Sequence, residues 1–104
     1  MRDFAPPVAS FEELAARLRE RSEPLRAFGV DAVTVFGSFA DGTFDSDSDV
    51  DLVVEPGPKS FRQLLDLQDF LESALMRRVD VLTSAAVKPR LATEIERTGR
   101  RITL

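Results

Sequence analysis

Three short features of the sequence hold the side chains best suited to chemistry at a phosphate. Gly37 and Ser38 follow a β-branched segment, Asp49 and Asp51 stand at the head of the next such segment, and Asp80 lies inside a third. Carboxylate oxygens are the ligands that hard divalent cations prefer. A glycine turn that leads into a serine allows close approach and binding of an anion. The three features together predict a site for a metal ion and for the phosphates of a nucleotide.

The spacing of the aspartates supports this interpretation. Asp49 and Asp51 face the same side of a strand, ~6.6 Å apart along the chain. Two such carboxylates repel each other unless a cation lies between them. If the strand of Asp80 pairs with theirs, three carboxylates share one face and can hold two magnesium ions ~3.5–4 Å apart, as in-line displacement at phosphorus requires. Because apolar residues flank Asp80, we expect it to be buried and to need a partner.

The composition narrows the chemistry further. The chain contains no His, Cys, Tyr or Trp. Disulfides and thiolate zinc sites are therefore excluded, and the imidazole base that commonly works near neutral pH is missing. A lone Gly-Ser is ordinarily a turn, and a lone Asp-x-Asp is ordinarily a solvated strand edge. The combination is far more specific than its parts, and it leaves acid–base and metal chemistry to carboxylates.

The predicted elements alternate between helices and short strands. Two capping boxes, Ser10 with Glu13 and Ser60 with Gln63, begin the two long helices, and Pro24 should end or kink the first one. Arg77 and Arg78 suit the C-terminal end of the second helix dipole. The strands are predicted at 31–36, 49–55, 79–83 and 101–104, with a short helical turn and loop over 39–48 and a last helix over 89–98. This order predicts an α/β (α+β) fold, a small mixed β-sheet with helices packed on it.

The length of the chain predicts the number of domains, and its charge distribution bears on possible partners. The 104 residues suit one domain, 1–104, with an irregular N-terminal segment 1–9 and no room for a second domain. Residues 1–76 hold 7 Lys/Arg and 15 Asp/Glu, a net charge of −8, whereas residues 77–104 hold 7 and 3, a net charge of +4. The acidic body argues against extended nucleic-acid binding. The basic tail either meets an acidic partner or forms solvated helix faces.

The sequence gives no sign of a membrane protein. No stretch is apolar for long enough to span a bilayer. The first ten residues, MRDFAPPVAS, lack the apolar centre of a signal peptide. We therefore expect a cytoplasmic protein with no membrane contact.

At this point the sequence resembles the DNA polymerase β-type nucleotidyltransferase superfamily, and more closely its minimal nucleotidyltransferases. The resemblance is carried by Gly-Ser, then about ten residues, then Ser-Asp-Val-Asp-Leu at 48–52, with the acidic strand around Asp80. It implies a polymerase β-like fold that uses ATP and magnesium, with two ions. It also implies catalytic and metal-binding roles for Asp49, Asp51 and Asp80, and nucleotide binding by Gly37, Ser38 and Ser48.

The resemblance also implies a partner. Minimal nucleotidyltransferases are often antitoxins that transfer AMP from ATP to a tyrosine hydroxyl of a HEPN-type RNase toxin. The absence of tyrosine here agrees with modification of another chain. One departure is Asp41, which stands where relatives commonly carry a basic residue. An acid there is expected either to weaken triphosphate binding or to change the nucleotide preference. Two alternatives remain open: a non-catalytic antitoxin that neutralises its partner by contact, and nucleotidyl transfer to RNA or to a small molecule.

Overall fold

A four-stranded mixed sheet forms the centre of the fold. The computed structural model describes residues 6–104. The strands lie in the order β3-β2-β1-β4; β2 and β3 are parallel, and the other two pairs are antiparallel. They span β1 Val30–Phe36, β2 Val50–Pro56, β3 Val79–Thr83 and β4 Arg100–Thr103. The predicted mixed sheet is confirmed, including the pairing of the strand that carries Asp51 with the strand that carries Asp80.

Within residues 6–104, five helices surround the sheet, and serine side chains cap the first helix and the longest one. The Ser10 hydroxyl accepts a hydrogen bond from the Glu13 N–H at 3.0 Å, and the Ser60 hydroxyl accepts one from the Gln63 N–H at 3.1 Å. Both predicted helix starts are therefore confirmed. The helices span α1 Phe11–Glu20, α2 Ser22–Ala27, α3 Ser38–Asp41, α4 Phe61–Leu75 and α5 Pro89–Thr98, with a short 3₁₀ turn at Ser84–Ala86.

The first predicted helix breaks earlier than expected. The prediction placed the end or kink at Pro24, but α1 ends at Glu20 and α2 begins at Ser22, so that Pro24 lies in the first turn of α2. A proline has no N–H to donate to the carbonyl four residues earlier, and its ring clashes with that carbonyl. The carbonyl in question belongs to Glu20, which explains why the break falls there.

The two faces of the sheet are covered differently. The main core joins one face to α1, α2 and α4, and the strand positions that enter it include Val33, Val35, Leu52 and Val54. Because side chains alternate along a strand, the positions between them point to the other face. That face meets α5, whose Ala92 and Ile95 lie across a cavity of about 290 Å³ from Thr34 and Val53. Asp51 and Asp80 belong to this second face.

The chain before the first helix is irregular, as predicted, in the part that the structure describes. Residues 6–9 lie outside helices and strands, although Val8 is buried and its N–H donates to the Leu75 carbonyl at 3.1 Å. Residues 1–5 of the predicted irregular segment lie outside the described residues. No helix within residues 6–104 combines the length and the apolar content that crossing a membrane requires.

Candidate active site

Two of the predicted carboxylates meet across neighbouring parallel strands. Asp51 of β2 stands in register with Asp80 of β3. Residues in register on paired strands share a face and lie about 4.8 Å apart. Two carboxylates at this separation repel each other unless a proton or a cation lies between them. The sheet therefore brings together two of the three aspartates that were predicted to converge.

The electrostatics of the pair centre on Asp51. Burial, followed by the charge of Asp80 and the contact with it, raises the pKa of Asp51 to about 6, with further contributions from Asp49 and Glu94. Asp49 itself is exposed and directly precedes β2. Three neighbouring carboxylates thus act on Asp51 at the head of β2. A half-buried acid among other acids is an electrostatic setting that favours a divalent cation.

Gly37 packs directly against this carboxylate. It follows the last residue of β1 and adopts φ 73° and ψ −150°, a backbone region that is essentially restricted to glycine. A Cβ atom built on Gly37 would collide with the Oδ2 atom of Asp51. The glycine turn and the carboxylate pair therefore lie on the same side of the sheet, as a shared phosphate and metal site requires.

The surroundings of Asp80 correct one expectation. Asp80 was predicted to be buried, but it is exposed. The reason is that β3 is an edge strand whose second face is left uncovered at this position. Within residues 6–104, no three His, Cys, Asp or Glu side chains are arranged to hold a metal ion as they stand. Joint binding of an ion by Asp49, Asp51 and Asp80 would require their oxygens to draw closer together.

The family follows from comparison with known proteins. The model of the family described as Polymerase beta, Nucleotidyltransferase matches residues 22–103. The chain belongs to this nucleotidyltransferase family. The match covers the four strands of residues 6–104 and all three predicted site features, so the fold expected from the resemblance is confirmed.

Relatives extend the match over most of the chain. The protein adenylyltransferase MntA of Thermococcus cleftensis is 33% identical over 92 residues, which cover 86% of this chain and 93% of the relative. A solved structure of a candidate minimal nucleotidyltransferase is 32% identical, with a TM-score of 0.70, and covers 88% of this chain and 95% of its own.

A more distant structure shows the same fold. It is a complex of a tri-AMPylated Shewanella oneidensis HEPN toxin with its MNT antitoxin. The matched chain has 18% identity and a TM-score of 0.58, and the match covers 85% of this chain and 70% of that one. At this identity the likeness concerns the fold alone.

The two predicted serine ligands of the nucleotidyltransferase lie in different settings. Ser38 begins α3, where the first N–H groups of a helical turn have no acceptor within the helix. Ser48 belongs to a tight turn: its hydroxyl accepts from the Asp45 N–H at 2.8 Å, and its own N–H donates to the Asp45 carbonyl at 3.2 Å. Ser38 is therefore placed to meet an anion, whereas the Ser48 hydroxyl is engaged within its own turn. Nucleotide binding by both residues stays a prediction.

Asp41 has a structural role in the nucleotidyltransferase fold. Its Oδ1 atom accepts hydrogen bonds from the Thr43 hydroxyl at 2.6 Å and from the Thr43 N–H at 3.0 Å. These bonds lower the pKa of the exposed Asp41 carboxyl. The acid therefore stabilises the turn that ends α3, at the position where a basic residue was expected from the resemblance.

Glu94 was not predicted as a site residue. This residue of α5 lies close enough to add to the charges that act on Asp51. It also lines a groove of about 780 Å³ along α5, together with Lys88, Arg90, Leu91, Thr93 and Arg97. The helix had been predicted, but nothing in the local sequence indicates that the loop after β3 carries it across the open face of the sheet. Several basic residues of the tail therefore line one groove. Glu94 lines the same groove and also acts on Asp51.

Proposed function

We propose that this chain is an antitoxin that transfers AMP from ATP to a tyrosine hydroxyl of a HEPN-type toxin. The observation that carries the proposal is the position of Asp51, which lies in register with Asp80 on the neighbouring strand and packs against Gly37. This position joins a carboxylate pair to a glycine turn at the head of β2. Two relations support the choice of reaction. The Thermococcus relative is named a protein adenylyltransferase, and the Shewanella complex joins an MNT antitoxin to an AMPylated HEPN toxin.

The donor set fits magnesium. Asp49, Asp51 and Asp80 offer only oxygen ligands, and the pKa of Asp51 is raised by burial and by the negative charges of its neighbours. These three residues would hold the two predicted ions. Magnesium, when bound, would neutralise the charge on the triphosphate and lower the pKa of the attacking hydroxyl. The working compartment would be the cytoplasm, where ATP is available.

The residues of the chain have distinct tasks in this reaction. The Gly37 turn and the first N–H groups of α3 would bind the β- and γ-phosphates, because the start of a helical turn favours an anion. Asp80 would face the acceptor. It is exposed on the edge strand β3, so a hydroxyl carried by another protein can approach it without obstruction. Without histidine, a carboxylate is the available proton acceptor when that hydroxyl attacks the α-phosphorus and pyrophosphate leaves.

Transfer of radiolabelled AMP tests the proposal. The acceptor is the helical protein with an Arg-x4–6-His motif that is expected to be encoded beside this chain. The wild-type chain with magnesium and ATP labelled at the α-phosphate should label that protein on tyrosine. The double variant Asp49→Asn with Asp51→Asn should fold, because it removes repulsion, but it should not label. A matched control, Asp66→Asn with Asp69→Asn, removes two carboxylates from α4 and should label normally. Undiminished labelling by the Asp49 and Asp51 variant would refute the site.

A second function has one observation in its favour. Asp41 holds the end of α3 in place of the expected basic residue, which suits an antitoxin that neutralises its partner by contact. Binding of ATP separates the two proposals, since a contact inhibitor needs neither nucleotide nor magnesium. If the wild-type chain neutralises the toxin without magnesium or ATP, the contact mechanism holds.

A further inference from the structure

Arg77 connects three separate segments of the chain through one guanidinium group. It lies between the end of α4 and the start of β3. Its Nε atom donates to the Val8 carbonyl at 2.8 Å. Its Nη1 atom lies 2.8 Å from the Ser48 carbonyl, 3.1 Å from the Asp45 carbonyl and 3.4 Å from the Ser46 carbonyl. Arg77 was predicted to suit the C-terminal end of the helix dipole, but its partners are backbone carbonyls from other parts of the chain.

The loop that Arg77 holds leads directly into the acidic motif. Ser48 precedes Asp49, and the turn from Asp45 to Ser48 is closed by its own hydrogen bonds. The Val50 N–H then donates to the carbonyl of Arg78 at 2.9 Å, which sets β2 beside β3. Arg77 thus fixes the loop at the point where the chain enters the strand that carries Asp51.

The same guanidinium group also contacts the helix that starts at the glycine turn. Its central carbon lies 4.8 Å from the centroid of the Phe39 ring. Phe39 is buried, directly follows Ser38 and stacks on Phe44 with ring centroids 4.2 Å apart. One side chain therefore links the segment of the predicted phosphate turn to the segment of the predicted metal ligands.

The geometry requires an arginine. A guanidinium group is planar, so it can donate to carbonyls in its plane while its face contacts an aromatic ring. A lysine ammonium group is a single point of charge on a flexible stem, and it cannot span the Val8 and Ser48 carbonyls while covering Phe39. The contact with the ring contributes to stability as a cation–π interaction.

We propose that Arg77 is a positioning residue that sets the Gly37–Ser38 turn relative to Asp49 and Asp51. This inference rests on the proposed function, because it concerns the same nucleotide site. Removal of the guanidinium group frees the loop without removing a ligand. A displacement of about 1 Å in a catalytic constellation can cost on the order of 100-fold. We therefore expect Arg77→Ala to weaken binding of the magnesium complex of AMP-PNP by at least about tenfold.

Calorimetric titration with magnesium and AMP-PNP provides the first arm of the test. Arg77→Lys should be weakened nearly as much as Arg77→Ala, although it keeps the charge. The neighbouring Arg78→Ala removes an exposed charge of the same sign and should bind like the wild type. Millimolar guanidinium ion should restore part of the affinity of Arg77→Ala, whereas methylammonium should not. Rescue of this kind separates a missing planar donor from general loss of stability.

Amide hydrogen exchange provides a second arm that needs no ligand. Arg77→Ala should exchange faster at residues 45–50, while the β1 amides keep the protection of the wild type. If Arg77→Ala does not fold, the calorimetric titration and the hydrogen-exchange measurement are both made on Arg77→Lys. Equal exchange and equal affinity in a folded Arg77 variant would overturn the inference. A wild-type chain that fails to bind magnesium AMP-PNP would instead overturn the proposed function, and the exchange result would still decide whether Arg77 holds the loop.

Discussion

Substitution of Gly37 by alanine, compared with a matched control, separates an effect on stability from an effect on the rate of AMP transfer. The backbone at Gly37 lies in a region that costs a side chain of order ~1–3 kcal/mol. A chain of this size loses about 4–8 °C in Tm for each kcal/mol. Folded domains have about 5–15 kcal/mol of stability, so we expect Gly37→Ala to fold with a lowered Tm.

The effect of Gly37→Ala on activity comes from Asp51. The new Cβ atom would collide with the Oδ2 atom of Asp51, so the carboxylate must shift by ~1 Å. A shift of that size predicts a fall in AMP transfer of about 100-fold. The matched control is Gly42→Ala. Gly42 also has a positive φ, 84°, but a Cβ there meets no atom within 4 Å. The control should lose about 1–2 kcal/mol of stability and keep its activity.

The comparison uses two measurements on both variants. Urea unfolding gives the free energy of unfolding, and initial rates of labelled AMP transfer, taken well below the Tm, give the activity. The reasoning fails if Gly37→Ala and Gly42→Ala transfer AMP at similar rates, or if both lose activity in proportion to their stability.

Three further predictions concern charge. Because Asp51 has a raised pKa in the folded chain, the native state binds more protons than the unfolded state between about pH 4 and 6. The free energy of unfolding in urea should therefore fall by about 1 kcal/mol as the pH rises through that window. The variant Asp51→Asn should not show this fall. Asp41→Arg should lower the stability by loss of the Thr43 bonds, yet tighten magnesium ATP binding by about fivefold in calorimetry. Equal or weaker binding would count against a triphosphate near α3. Magnesium should raise the Tm of the wild type in a thermal scan but not that of Asp49→Asn with Asp51→Asn, and a chelator should stop AMP transfer.

Local signals in the sequence were sufficient for most of the fold. Ser10 and Ser60 begin helices because each hydroxyl satisfies a helix N–H three residues later, and that relation is visible as spacing. The same holds for the alternation of Asp51 with buried neighbours in β2. The early break at Arg21 was missed, because the clash of a proline acts on the residue four positions before it.

The remainder of the site depends on contacts between distant segments. Glu94 reaches Asp51 only because α5 folds back across the open face. Arg77 reaches Ser48 across 29 positions of sequence, and an arginine at the end of a helix gives no sign of such a contact. Asp80 is exposed because β3 lies at the edge of the sheet. Its apolar neighbours in sequence had indicated a buried strand instead.

A crystal structure with manganese and AMP-PNP tests the central claim most directly. The anomalous signal of manganese locates the ion without reference to the expected ligands. The account predicts the ion on the Asp51 carboxylate, with oxygens of Asp49 or Asp80 completing the protein ligands and the triphosphate against the Gly37 turn. Manganese at any other position, or a nucleotide bound away from Gly37, would contradict it.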